Sequence, residues 1–331
     1  MSRVSNAGQN YYINRLLNDV RHSLNRAQLQ VSSGKKSQNF SYLGPTKSSL
    51  SISMRQDSKR IESYVFNLNL VGSRLDVMVD RMENATDIAR NMYNTVLQIP
   101  RTEPPNLDIL HSGAGQALEM MIETINTNVG DRYLFAGTDI SNRPLNDMDA
   151  LKASVDGIMD QYMAGMITGV DVVSDVDSLS DVQLGYNTTL AGADPVTVQI
   201  EKNYDIDYTH MANGEGLKDI IKGLQMLASV EYDPALHDEY LDVIDGAGAF
   251  LQEGALKLDS DLAGLGIKQQ MMEDMHDRHE KAQIDIAQYI GRAEDVDIAE
   301  AVVRMQLLQT QLEVSYHTLG SLKNMTLMDY M

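Results

Sequence analysis

Residues 61–99, IESYVFNLNLVGSRLDVMVDRMENATDIARNMYNTVLQI, place an apolar or alanine side chain at every alternating three- and four-residue step: Ile61, Tyr64, Leu68, Val71, Leu75, Met78, Met82, Ala85, Ala89, Met92, Val96 and Ile99. A 3.5-residue apolar period keeps one narrow stripe facing a partner helix and underwinds it into a left-handed supercoil. At 1.5 Å per residue the stretch predicts a helix roughly 55–60 Å long. Such a helix suits lengthwise packing and not a substrate cradle.

On its N-terminal side a second seam runs through Ile13, Leu17, Val20, Leu24, Ala27 and Val31. Ser32-Ser33-Gly34-Lys35-Lys36 ends it with a glycine suited to a left-handed cap and with cations at the negative helix end. Gly44-Pro45 then mark a loop, and Thr46 is the expected N-cap of the long helix. On its C-terminal side Pro100, Pro104 and Pro105 force a corner, because proline cannot continue a helix and restricts the residue before it. A third helix is expected from Asn106, lined by Leu107, Leu110, Ala114, Leu118, Met121 and Ile125 and closed by Gly130-Asp131.

From about 142 to 214 the composition shifts to Gly, Asp, Ser and Thr, with short alternating runs at Val196–Ile200 and Tyr204–Tyr208 and a helix candidate at 149–165. Helical periodicity returns at Leu217. Leu251, Ala255, Leu258, Leu262 and Leu265 form one further seam, and Ile298, Ala301, Met305, Leu308, Leu312, Ser315, Leu319 and Leu322 another. The chain thus begins and ends in heptads, which predicts that the two terminal helices pair. Isolated helices of this kind are marginal in water, because nucleation is costly.

Composition removes several function classes. There is no cysteine among the 331 residues, so disulfides, thiol catalysis and Cys-ligated metals are excluded. No apolar run approaches the ~18 residues of a membrane span, and the opening MSRVSNAGQNYYINRLL has no signal-peptide h-region. The expected location is therefore the cytoplasm, or the exterior by a route that needs no cleaved signal. The net charge of −20 is uneven: residues 1–60 hold ten Lys or Arg against two acids, a balance of +8, which leaves −28 for the rest. Residues 139–260 alone carry 23 acids against 6 bases. The N-terminal cations are singly spaced, without stacking aromatics, so nucleic acid is not the expected partner; acidic surfaces of neighbouring copies are.

Several motifs carry tempting chemistry. Ser32-Ser33-Gly34-Lys35 matches the S-x-x-K nucleophile pattern, but neither S-D-N nor K-T-G follows, and a helix stop explains the same residues. His276 and His279, three apart among Asp274, Asp277 and Glu280, could clip a divalent cation on one helix face, against the simpler reading of a solvated charged face. Asp171, Asp175 and Asp177 lack the order and glycine of a calcium loop. Gly246-Ala-Gly248 and Gly264-Leu-Gly266 lack the strand and spacing of a phosphate loop and are expected to allow bends or close helix approach. No catalytic residue, cofactor or metal site is expected.

Three segments carry a family resemblance. Gln30-Val-Ser-Ser-Gly-Lys35 resembles the turn after the first helix of the bacterial flagellin superfamily. Gly130-Asp-Arg-Tyr-Leu-Phe-Ala-Gly-Thr138 resembles the signature of its hook-associated protein 3 type, the hook–filament junction protein. Asp295-Val-Asp-Ile-Ala-Glu-Ala301 resembles the C-terminal element that flagellins and junction proteins share, and Leu327-Met-Asp-Tyr-Met331 is nearer the junction type than a flagellin. The resemblance covers roughly 1–140 and 215–331.

What it implies is a mainly α protein, with long terminal coiled-coil helices and an antiparallel helical rod domain carrying a small inserted β-containing outer domain. The expected layout is 1–45 as N-terminal helix of an inner coiled-coil domain, 46–141 and 215–291 as the two halves of the rod, 142–214 as the acidic outer insert, and 292–331 as the C-terminal inner helix. The implied role is a flagellar structural subunit without catalytic activity, exported by the flagellar type III route and placed outside the cell. Its implied partners are copies of itself in a tubular assembly, a hook-side junction protein, flagellin, and an export chaperone on the C-terminal helix. The assembly residues are expected to be Ile13, Leu17, Val20, Leu24 and Val31 with Ile298, Met305, Leu308, Leu312, Leu319 and Leu322. Alternatives are a filament-forming flagellin and, of another class, a cytoplasmic coiled-coil scaffold or metal-binding protein.

Overall fold

The computed structural model describes residues 2–39, 44–101 and 106–328, the side chains of 2–7, 9, 10 and 322–328 excepted. Among the described residues it is 74% helical, with two small antiparallel sheets, so the fold is mainly α with a small β-containing insert. Eight α-helices are found among the described residues: α1 Ser2–Ser33, α2 Pro45–Leu97, α3 Leu107–Ile125, α4 Met148–Met163, α5 Gly169–Asp177, α6 Glu215–Ser229, α7 His237–Glu294 and α8 Ile298–Met328. Strands β1 Asn128–Val129 and β2 Arg132–Tyr133 form one hairpin, and β3 Thr197–Glu201 and β4 Tyr204–Asp207 the other.

The chain divides into two compact units, one of residues 1–62 and 280–331 and one of residues 63–279. In the first, α1 packs on α8. The contacts Lys35 with Asp295 and Arg21 with Tyr316 run in opposite chain directions, so the two helices are antiparallel. The heptad positions face inward: Leu17 and Ala27 are buried and Ile13, Val20, Leu24 and Val31 half-buried on α1. On α8, Ala301 is buried and Met305, Leu308, Leu312, Ser315 and Leu319 are half-buried. The terminal seams therefore cover one another, as their matched periods require.

The second unit is organised on the seam of α2. Tyr64, Leu68, Val71, Leu75, Met78, Met82, Ala85, Ala89, Met92 and Val96 are all buried. From Leu68 onward they join one hydrophobic core with Leu110, Leu118 and Met121 of α3, with Ile220, Ile221 and Leu224 of α6, and with Leu251, Leu258 and Leu265 of α7. Residues of the insert, including Leu151, Tyr162, Val172, Ile200 and Ile206, share that core. α6 packs on α3 and α4.

Two local expectations change. The long helix begins at Pro45 and not after Thr46, since proline has no N–H to leave unsatisfied and its fixed φ suits the first helical position. Gly130-Asp131 does not close α3, which ends at Ile125; it forms the turn of the β1–β2 hairpin. Gly34 does cap α1: its φ is 70° and its N–H donates to the Gln30 carbonyl at 2.9 Å.

Candidate assembly surface

The sequence between α1 and α2 meets the sequence between α7 and α8 in a joint built almost wholly from hydrogen bonds. The Lys36 N–H donates to the Glu294 carbonyl at 2.6 Å, and the Val296 N–H to the Gly34 carbonyl at 2.9 Å. Lys36 Nζ donates to the Arg292 and Ala293 carbonyls at 2.7 and 3.3 Å, supplying a cation to the free carbonyls at the end of α7. Gln30 Nε2 closes the loop onto the Lys36 carbonyl at 2.8 Å.

At its centre lies the buried carboxylate of Glu294. It accepts from Arg55 Nε and Nη2 and from the Ser51 hydroxyl, and Lys35 Nζ stands 3.5 Å away. Burial pushes the Glu294 carboxyl up, but the hydrogen bonds from Arg55 and Ser51 and the charges of Arg55 and Lys35 outweigh it and hold the group below its ordinary value. Lys35 also pairs with Asp295 at 2.5 Å, and that hydrogen bond, against some desolvation, holds its ammonium above the usual value.

Beyond the joint, α8 carries a second apolar stripe that sequence reading missed. Val303, Leu307 and Val314 are 64%, 67% and 60% exposed, although they sit four and seven residues apart on one face. Tyr12 and Leu16 of α1 are likewise exposed. The signal was present in the sequence as apolar positions offset from the first seam, but the stronger 3.5-residue pattern masks it. Of the expected assembly residues, Ile298 is exposed, and the Leu322 side chain lies outside the described residues.

Of the other motifs, only part of the histidine cluster stays together: His276, Asp277 and Glu280 on α7 keep one possible ligand atom each within 4.8 Å of one another, an arrangement that exposed acidic groups on a helix face commonly show. Ser32 and Ser33 donate to the Leu29 carbonyl, and the Lys35 amine belongs to Asp295, so no hydroxyl is joined to an amine base there. His279 turns inward, stacks on Tyr64 and meets the Ile200 carbonyl through Nε2 at 2.7 Å, away from any exposed ligand set with His276. Asp171 completes a capping box with Thr168, whose backbone and side-chain hydrogen bonds hold its carboxyl below the usual range, while Asp177 binds Lys222 at 2.9 Å. Among the described residues no helix is long and apolar enough to cross a membrane.

The bacterial flagellin N-terminal helical region matches residues 4–139, and the bacterial flagellin C-terminal helical region matches residues 250–331. Together they span well over half of the chain, which belongs to the bacterial flagellin family. No curated protein sequence matches it. Among solved structures, one assigned as a flagellar hook-associated protein from Vibrio parahaemolyticus is 14% identical, with a TM-score of 0.49, and is aligned over 75% of this chain and 97% of its own. Bacillus cereus FlgL is 13% identical, with a TM-score of 0.39, over 85% of this chain and 99% of its own. The two terminal helical regions, and not these superpositions, carry the family assignment.

Proposed function

We propose that the chain is the hook–filament junction subunit of a bacterial flagellum, a structural protein without catalytic activity. The observation that carries an assembly role is the antiparallel α1–α8 pair, which covers one apolar seam within the chain and leaves Val303, Leu307 and Val314 open on the other side of α8. An exposed apolar stripe at helical spacing on a water-soluble surface is a contact waiting for a neighbour. Burying it at about 25 cal/mol per Å² would supply the association energy.

The junction role, as distinct from the filament, is supported by the segment Gly130–Thr138. Its Leu134, Phe135 and Ala136 are buried, so the stretch that resembles the junction type is part of the folded framework and not a free loop. In this reading 1–45 and 292–331 form the inner domain, 46–141 and 215–291 the rod, and 142–214 the outer insert. Neighbours would be further copies, a hook-side junction protein and flagellin. Export would follow the flagellar type III route, with a chaperone covering α8 beforehand.

Immunogold electron microscopy of intact flagella, with antibody against residues 142–214, tests the role. A short band at the far end of the hook is expected. Label along the whole filament would make the chain a flagellin, which the flagellin-type end regions favour as the second reading, and unlabelled flagella would overturn both.

A further inference from the structure

The turn after α1 walls a pocket of about 420 Å³, whose lining includes Arg26, Leu29, Lys35, Lys36, Ser37 and Asn39 and no acidic side chain. Its three cations are not equally neutralised. Lys35 is held by Asp295 and Glu294, but Lys36 rests its ammonium on two neutral carbonyls, and Arg26 is exposed and enters no ion pair among the described residues. Arg26 and Lys36 thus line one concave site without a carboxylate partner among the described residues, beside side chains that offer hydroxyl and amide donors. That combination selects a carboxylate, because charge-assisted hydrogen bonds are about twice as strong as neutral ones.

We infer that this pocket receives a surface carboxylate of a second copy of the chain. The argument for that occupant is charge complementarity: residues 1–60 carry +8 and the remainder of the same chain −28, so every copy presents both halves of the contact. A basic patch that meets a different, acidic patch on the next copy is a heterologous contact, and such contacts generate rings or open helical arrays instead of closed dimers. The inference rests on the assembly reading above and adds to it the site at which copies are registered.

Sedimentation velocity of the full chain over a concentration series, at low salt and at about 1 M NaCl, tests it, since the screening length falls to about 3 Å at the higher salt. Wild type should associate at low salt and weaken as salt rises. Arg26→Glu should weaken low-salt association by about tenfold or more and flatten its salt dependence, Arg26→Gln should be intermediate, and Lys202→Glu, at an exposed hairpin position, should match wild type. Circular dichroism of each variant reports that the fold is kept. If Arg26→Glu associates as wild type does, with the same salt dependence, the pocket is not the contact while the assembly reading stands. If wild type associates at neither salt, the pocket falls as a contact between copies, while the assembly reading is decided separately by the immunogold label.

Discussion

The Glu294 carboxylate takes two hydrogen bonds from the Arg55 guanidinium, Nε to Oε1 at 3.1 Å and Nη2 to Oε2 at 2.6 Å, across 239 residues of sequence. A planar fork meeting a carboxylate fixes direction as well as distance. The pair thus ties the start of α2 to the end of α7 at the point where the chain turns into α8.

Replacing Glu294 by Gln should open this joint. A hydrogen bond to a charged group contributes about 1.5–3 kcal/mol, but Arg55 and Lys35 are nearly half exposed and regain water when released, so a loss of about 1–2 kcal/mol is expected. Hydrogen exchange should quicken in α1 and α8 and stay unchanged in α4. Equal acceleration in α4 would mean that Glu294 supports the whole chain and not the joint.

Acid should act on the same residue. The Glu294 carboxyl is held below its ordinary value in the folded chain, so its contribution is fully present above the usual glutamate pKa and is lost as pH falls through the lower, folded value. Limited proteolysis across a series of falling pH should release α1 and α8 while residues 63–279 remain resistant, and Glu294→Gln should remove the part of that pH dependence due to this group.

The α2 seam could be read directly because a sustained 3.5-residue period is local information, and ten of its twelve positions are buried. The joint could not, because Glu294 sits in the run Gly291-Arg-Ala-Glu-Asp295, which looks like any solvated helix end until Arg55 and Ser51 are brought to it. The second stripe of α8 was hidden for a different reason: Val303, Leu307 and Val314 interleave with the first seam, so the helix reads as apolar on two faces and only the pairing with α1 decides which is covered. Gly246-Ala-Gly248 and Gly264-Leu-Gly266 were legible only as sites of a bend or a close approach; nothing comes near Gly264 or Gly266, whereas Gly246 has a close partner.

That partner is Val173 on α5. A Cβ added at Gly246 would stand 2.2 Å from Val173 Cγ2, so Gly246→Ala must push α5 away from α7. Overpacking of this kind costs about 1–3 kcal/mol. The thermal midpoint should fall, and the added substitution Val173→Ala should recover part of the loss by making room. A double variant no more stable than Gly246→Ala alone would place the strain elsewhere.

Within the same unit, Lys222 is buried, with Asp177 at 2.9 Å and Asp219 at 4.0 Å, and Lys257 grips Asp219 at 2.5 Å. Burial pushes the Asp219 carboxyl up, and the hydrogen bond and charge of Lys257, with Lys222, only partly offset it. Lys222→Met keeps the volume, leaves Asp219 its Lys257 and leaves Asp177 in water, so stability should change by less than about 1 kcal/mol. Asp219→Ala removes the acceptor of Lys257 and a nearby counter-charge of the buried Lys222, and should cost about 1–3 kcal/mol. Urea melts of the two variants should differ in midpoint accordingly; a larger loss for Lys222→Met would show that its charge, and not its stem, holds α6 to α5.

The two stripes of the terminal pair make separable predictions. Leu17 is 7% exposed on the covered seam, and a carboxylate there must be desolvated or expelled, at a cost of about 3 kcal/mol or more. Leu17→Asp should therefore melt the α1–α8 pair, seen as lost helical ellipticity and fast exchange in both helices, and abolish assembly as a consequence. Leu307 is 67% exposed, so Leu307→Asp should leave the monomer within about 0.5 kcal/mol of wild type. Yet it places a charge in the stripe proposed to meet a neighbour, and assembly into flagella, scored by motility and immunogold label, should fail. Normal motility from Leu307→Asp would exclude the second stripe as the contact and return the assembly energy to the covered seam, which would then have to open before copies join.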